Sequence, residues 1–72
     1  MPRDVMLHNT IRRLRFEHGE MTQQGLAERV GCTRQTIMLL EQERYTPSLV
    51  LAMRIARVFG TTVDAVFMLE EH

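Results

Sequence analysis

The sequence predicts an all-α domain of five short helices, and three kinds of observation support this. Apolar residues recur at helical spacing, as Ile37 and Leu40 do. A hydroxyl residue such as Ser48 stands where an apolar run begins and can cap a helix N-terminus. Glycine stands where a run ends, as at Gly31 and Gly60, and favours the left-handed conformation that stops a helix.

The length of the chain limits it to one small domain. With 72 residues, of which 44% are apolar, we expect residues 1–72 to form a single unit with tails at 1–8 and 68–72. Domains of this size bury only about 60% of the surface that the unfolded chain exposes. Their stability is therefore marginal, and dimerisation would add to it.

Charge gives a mixed indication of the partner. Nine basic and nine acidic residues cancel, which does not favour nucleic acid, since phosphate binding usually needs a basic excess. However, seven of the nine basic residues fall within positions 1–45, and all nine are Arg. Arginine suits bidentate contact with phosphate or guanine, although a GC-rich genome would give the same bias.

Other classes of protein lack support in the sequence. One Cys cannot form an internal disulfide, the three His lack metal-ligand spacing, and no apolar run reaches membrane length. No nucleophile is paired with a base at useful spacing. We therefore expect a cytoplasmic protein with no catalytic residues, cofactor, metal, membrane contact or small-molecule ligand.

The clearest motif covers residues 22–42. Thr22 can cap a helix, and Gly31 can end it. Thr33 can cap a second helix, which the small side chain of Ala27 allows to cross the first one closely. A small residue followed by glycine and a β-branched residue is the pattern of a helix-turn-helix, whose second helix enters the DNA major groove.

These residues resemble the Cro/C1-type (Xre) helix-turn-helix transcriptional regulators, in particular the small stand-alone members. The matching positions are Gln23, Leu26, Ala27, Val30, Gly31, Cys32, Ile37 and Leu40. The segments TRQTI, LEQERYTPSL and IARVFGTTVDAVF extend the match over roughly residues 11–67. The resemblance implies a lambda-repressor-like domain and a dimeric repressor of its own or a neighbouring promoter, bound to an inverted-repeat operator in double-stranded DNA.

The five helices have approximate bounds that caps and glycines set. They are helix 1 from about Asn9 to about His18, helix 2 from about Gln23 to Val30, helix 3 from Thr33 to about Gln42, helix 4 from Leu49 to Phe59, and helix 5 from Val63 to about Phe67. Thr61 with Asp64 resembles a capping box for helix 5. The tails either form a two-stranded ribbon, as in some small members of the family, or fray. The ribbon would pair Val5, Met6 and Leu7 with Phe67, Met68 and Leu69.

Position for position, the resemblance implies two sets of DNA contacts. The base-reading residues are Arg34, Gln35, Thr36 and Leu39. Arginine can bind guanine O6 and N7 together, and glutamine can bind adenine N6 and N7. Leu39 either meets a thymine methyl or packs against helix 4 or a partner protein, and Tyr45 can equally lie flat on the core edge. The DNA-backbone contacts are Gln23, Thr33, Arg44, Tyr45 and Thr46.

Helix 1 carries Arg12, Arg13 and Arg15, expected on its outer faces, where they are either solvated or in contact with phosphate. Glu41 is expected to be structural and to bind the backbone or an arginine such as Arg12 or Arg15. Cys32 is interpreted as a small buried hydrophobe in preference to a redox sensor.

Two positions depart from the family pattern. Gly25 replaces a helix-forming residue, which removes part of a capping box. Glu43 stands where the family often has glycine, so the end of helix 3 is expected to fray or extend differently.

Helix 5 and the C-terminal tail carry more apolar surface than a small core readily hides. A homodimer interface is therefore expected at Val63, Val66, Phe67, Met68 and Leu69. The alternative function is an antitoxin or coregulator that acts mainly through protein–protein contacts. Zero net charge and the apolar pair Met38–Leu39 favour that alternative.

Overall fold

A computed structural model describes residues 5–71 as five helices and one two-stranded sheet. The elements are β1 (Val5–Asn9), α1 (Ile11–Glu17), α2 (Gln23–Val30), α3 (Arg34–Glu41), α4 (Leu49–Val58), α5 (Val63–Val66) and β2 (Phe67–Glu71). Residues 1–4 and 72, the outermost parts of the predicted tails, lie outside the described residues. The prediction of a five-helix, lambda-repressor-like fold is confirmed. Within residues 5–71, no helix has the length and apolar character needed to cross a membrane.

Hydroxyl side chains start most of the helices, as their sequence positions predicted. The side chain of Thr22 accepts a hydrogen bond from the Gly25 amide at 2.9 Å, and that of Ser48 accepts one from the Leu51 amide at 3.1 Å. Each bond satisfies a backbone donor that the first turn of a helix leaves unpaired.

The predicted cap of helix 5 is wrong by one residue. Thr62, not Thr61, caps α5, because its hydroxyl accepts from the Ala65 amide at 3.2 Å. The Thr61 amide instead donates to the Ala56 carbonyl at 3.0 Å and so closes the C-terminal turn of α4. Gly60 makes this turn possible, since its φ of 66° is left-handed.

The core lies between the helices and includes the motif. Ala27, on α2, is fully buried, and α2 packs against α3, which agrees with the predicted close crossing. The buried apolar residues are Ile11, Leu26, Ala27, Val30, Ile37, Leu40, Ala52, Ile55, Ala56, Phe59, Val66 and Phe67. Val66 and Phe67 therefore contribute to the core of the single chain. Because both are buried, those two residues do not leave the free apolar surface that a dimer interface was predicted to use.

The tails form the ribbon, and the frayed alternative is excluded for residues 5–9. β1 and β2 pair antiparallel, with Leu7 opposite Leu69 and Asn9 opposite Phe67. Asn9 belongs to β1 and not to helix 1, because its backbone pairs with that of Phe67; its side-chain amide donates to the Leu40 carbonyl at 2.7 Å. The amide of the next residue, Thr10, donates to the Val66 carbonyl at 2.9 Å. Helix 1 therefore starts two residues later than predicted, at Ile11.

Candidate nucleic-acid interface

The exposed side of α3 begins with two polar side chains. Ile37 and Leu40 are buried in the core, whereas Arg34 and Gln35 are exposed at the N-terminal end of the helix. Within residues 5–71, neither Arg34 nor Gln35 has a side-chain hydrogen bond or an ion pair. Their donors are therefore available to a ligand, and the packed opposite side of α3 fixes the position from which they extend.

Thr33 and Thr36 are tied to each other at the start of α3. The Thr33 hydroxyl accepts from the Thr36 amide at 3.2 Å, and the two hydroxyl oxygens lie 3.0 Å apart. Because these bonds join both hydroxyls within the N-terminal cap, they fix the orientation of the first turn of α3, which carries Arg34. One turn later, Met38 and Leu39 are half-buried. The exposed surface of α3 thus changes from polar to apolar along its length.

The loop after α3 extends the polar surface beyond the helix. Glu43 adopts a left-handed conformation with a φ of 61°, which ends α3 although no glycine is present. The following amide, that of Arg44, donates to the Leu39 carbonyl at 3.0 Å. Arg44, Tyr45 and Thr46 are all exposed. Tyr45 keeps 46% of its surface exposed, so it does not lie flat against the core.

A largely buried ion pair connects α1 to α3. The Arg15 guanidinium donates from Nε to Glu41 Oε2 at 2.6 Å and from Nη2 to Glu41 Oε1 at 3.0 Å. A third bond runs from Arg15 Nη1 to the Met21 carbonyl at 2.8 Å. The prediction that Glu41 is structural is confirmed. The prediction of an outward-facing Arg15 is wrong, because Glu41 and the Met21 carbonyl draw its side chain inward, to 11% exposure.

Gln23 is held by the same ion pair. Its side-chain amide nitrogen donates to Glu41 Oε1 at 3.2 Å. Gln23 is the first residue of α2, where backbone amides without helical partners and the positive end of the helix dipole can hold a phosphate. The bond to Glu41 thus fixes a predicted backbone-contacting side chain relative to α3.

An open cleft of about 360 Å³ lies beside Gln23, between α1, α2 and α3. Arg12 and Phe16 form its α1 side, and Met38 of α3 and Gln42, the residue after α3, form the opposite side. The Arg15–Glu41 pair lies at the same cleft, but those two charges neutralise each other. Sequence reasoning did not identify this cleft, because it depends on which arginine of α1 pairs with Glu41.

A second polar cluster, formed by His8, Glu43 and Glu70, lies where the ribbon meets the loop after α3. His8 Nδ1 is 3.0 Å from Glu43 Oε2, and His8 Nε2 bonds to a carboxylate oxygen of Glu70. These hydrogen bonds, to Glu70 first and Glu43 second, raise the pKa of His8 above its ordinary value of 6.5. The cluster connects the ribbon to the loop that carries Arg44.

Cys32 is half-buried and packs against the core. Burial raises the pKa of its thiol, which disfavours the reactive thiolate. This environment agrees with the interpretation of Cys32 as a small hydrophobe.

Comparisons with known proteins cover most of the chain. A family model described as Helix-turn-helix matches residues 11–66. A protein of Methanothermobacter thermautotrophicus named "Uncharacterized HTH-type transcriptional regulator" is 53% identical over 66 residues, which are 90% of this chain and 94% of that protein. A protein of the same name from Archaeoglobus fulgidus is 43% identical over 65 residues, or 90% and 91% of the two chains. The Bacillus subtilis protein "Uncharacterized HTH-type transcriptional regulator YgzD" is 42% identical over 65 residues, or 90% and 97%.

Proposed function

Because this chain belongs to the helix-turn-helix family, we propose that it is a sequence-specific DNA-binding transcriptional regulator. We further propose that it is a homodimer and represses its own or a neighbouring promoter from an inverted-repeat operator. The family is not enzymatic. A regulator works where the DNA is, so a cytoplasmic location follows from this function.

The observation that carries the proposal is the pair Arg34 and Gln35, exposed and without partners in residues 5–71, on a helix whose other side is fixed in the core. In this proposal the two side chains read base edges in the major groove, with Leu39 meeting a thymine methyl and Thr36 adding a weaker contact. The DNA-backbone contacts, which set the register of α3 in the groove, are Gln23, Thr33, Arg44, Tyr45 and Thr46.

The readout assignment is tested by gel shift with a fragment of the protein's own promoter. The wild-type protein should bind it with an affinity that falls steeply as salt rises. Arg34→Ala with Gln35→Ala should lower specific affinity by at least about 30-fold, since two base contacts worth about 1–3 kcal/mol each add to about 2 kcal/mol or more. The matched control is Arg29→Ala with Gln24→Ala, which removes the same groups from exposed positions on α2. Full binding by the α3 variant would refute the assignment.

The homodimer is proposed to use the ribbon and the start of α5. Leu69 is 65% exposed, Met68 is exposed, and Val63 is half-buried, so these three of the five predicted interface residues retain accessible surface. In a two-fold dimer the two copies of α3 would enter successive major grooves about 34 Å apart.

Sedimentation should give twice the 8.4 kDa chain mass at micromolar concentration. Leu69→Asp should give a monomer, because a carboxylate cannot be buried there without a partner. Val50→Asp, a charge placed on the exposed side of α4, is the matched control and should leave the dimer intact. A wild-type monomer would refute the dimer. If Val50→Asp dissociated the dimer and Leu69→Asp did not, the interface would lie on α4 instead.

A second candidate function is that of a coregulator or antitoxin acting mainly through protein contacts. The exposed apolar side chains of Leu49, Val50 and Met53 on α4 favour it. In that case Val50→Asp should abolish regulation in cells while promoter binding in gel shift stays unchanged. Loss of regulation through Arg34→Ala and Gln35→Ala, with Val50→Asp fully active, would favour the direct repressor.

A further inference from the structure

We propose that Arg12, on α1, binds a phosphate of the DNA backbone at the cleft between α1, α2 and α3. This inference rests on the proposed DNA binding and extends the contact surface to a helix outside the motif. It also separates three arginines, Arg12, Arg13 and Arg15, that the sequence leaves equivalent.

The three arginines of α1 have different partners. Arg15 forms an ion pair with Glu41, with its Nε 2.6 Å from the carboxylate, and its side chain is 11% exposed. Arg13 lies 3.7 Å from the Glu17 carboxylate, one turn along the same helix. Within residues 5–71, Arg12 alone of the three has no acidic side chain at ion-pair distance. Arg12 therefore keeps a charge that is free to meet a ligand.

Phe16 places this charge at the cleft. The Arg12 guanidinium carbon lies 5.9 Å from the centre of the Phe16 ring, within the range of a cation–π interaction. Phe16 is 55% exposed, so its ring contributes little to the core. The Arg15 guanidinium carbon also lies 5.9 Å from the ring, but Glu41 already fixes Arg15, so Arg12 is the arginine that the ring orients. Without such a contact, a long exposed side chain would sample many rotamers and lose entropy on binding.

The position of the cleft points to the DNA backbone as the ligand. Met38 on α3 and Gln42, the residue just after it, follow Arg34 at intervals of four residues, so they continue the side of the helix along which Arg34 lies. The cleft also contains Gln23, at the N-terminus of α2, where backbone amides favour phosphate. A DNA strand that passes these amides while α3 lies in the groove would come against Arg12.

The charges at the cleft fit the same ligand. Its ionisable residues are Arg12, Arg15 and Glu41, and the last two neutralise each other. One net positive charge remains, held by Arg12 at the edge of the cleft. Phe16 and Met38 offer apolar surface beside it, against which a deoxyribose can pack.

The test compares Arg12→Ala with Arg13→Ala across a series of salt concentrations. Both variants remove one positive charge from adjacent positions of α1, and alanine favours the helix. Arg12→Ala should reduce the slope of log affinity against log salt by about 0.9, the value for one phosphate contact. It should weaken binding to operator and unrelated DNA alike, by roughly threefold to tenfold at 0.15 M salt. Arg13→Ala should change the slope by much less.

Two further variants separate charge from position. Arg12→Lys should retain the salt slope, because it keeps the charge. Phe16→Leu should retain the slope but bind more weakly than wild type, because Arg12 loses the ring that orients it. Thermal unfolding of each variant confirms that the fold is intact.

Equal effects of Arg12→Ala and Arg13→Ala would overturn the inference, since only overall charge would then matter. That result leaves the proposed function standing. A wild-type protein that binds no DNA would instead refute the proposed function, and this inference with it.

Discussion

The C-terminal end of α3 is attached to the N-terminal part of the chain at two places that differ in burial. On one side Glu41 binds Arg15 of α1, and the two side chains are 10% and 11% exposed. On the other side Glu43, two residues later, binds His8 of β1, and these side chains are 31% and 35% exposed. Both contacts hold α3, the candidate reading helix that carries Arg34 and Gln35, but only the first is shielded from water.

Burial changes what each contact does. Glu41 accepts two bonds from one guanidinium and a third from Gln23, so its removal would leave a charged arginine without a partner in a water-poor site. His8 and Glu43 remain accessible to water, which can replace either partner at small cost. The buried pair is therefore expected to determine stability and the position of Gln23. The exposed cluster is expected to adjust the loop in response to pH.

The largest expected effect is that of Glu41→Ala. It should lower the free energy of unfolding by about 3–5 kcal/mol, because Arg15 would be left unpaired at a largely buried site. Denaturant unfolding measures this, with Glu28→Ala, at an exposed position on α2, as the control. Replacing both partners, as Arg15→Met with Glu41→Leu, should restore most of the loss. If Glu41→Ala cost no more than Glu43→Ala, the distinction between the two contacts would be wrong.

Local chemistry made most of the fold predictable from the sequence. Thr22, Thr33 and Ser48 each accept a bond from an amide three residues ahead, so the helix starts depend on nearby residues alone. The same capping rule does not distinguish Thr61 from Thr62 as the start of α5. The choice between them depends on the end of α4, where the Thr61 amide donates to the Ala56 carbonyl.

The parts that sequence reasoning missed depend on residues far apart in the chain. Arg15 and Glu41 are 26 positions apart, and the pattern of α1 does not show which arginine meets that carboxylate. Val66 and Phe67 were assigned to an interface because the local sequence pattern does not show that they pack into the core of the single chain. The base-reading assignment of Arg34 and Gln35 stays a prediction, since it requires DNA to test.

A smaller effect is expected from pH at the exposed cluster. The pKa of His8 is raised by its bonds to Glu70 and Glu43, so the folded state holds the proton more tightly than the unfolded state does. The stabilisation is fully present below the ordinary pKa of 6.5 and is lost as pH rises through the higher folded value. The stability difference between wild type and His8→Asn should therefore be largest below pH 6.5 and shrink as pH rises through the raised pKa of His8. Unfolding by denaturant across this range measures it, and a constant difference would contradict the ionic origin of the contact.

The smallest expected effect is that of two glycine substitutions, which separate the contribution of the Glu43 side chain to stability from the strain of its left-handed backbone. Glu20 and Glu43 both have left-handed φ values, 53° and 61°, which glycine adopts more easily. Glu20→Gly should therefore raise the free energy of unfolding by about 0.5 kcal/mol, the relief of strain less the added entropy of the unfolded chain. Glu43→Gly gains the same relief but loses the bond to His8, so at low pH it should be the less stable of the two variants.

That gap should close as pH rises through the raised pKa of His8, because the bond that Glu43→Gly removes then no longer joins opposite charges. Paired unfolding curves for the two glycine variants measure the gap directly. If the variants were equally stable at every pH, the exposed cluster would contribute nothing to holding α3. The Arg15–Glu41 pair, together with the core packing of Ile37 and Leu40, would then account for the position of the candidate reading helix.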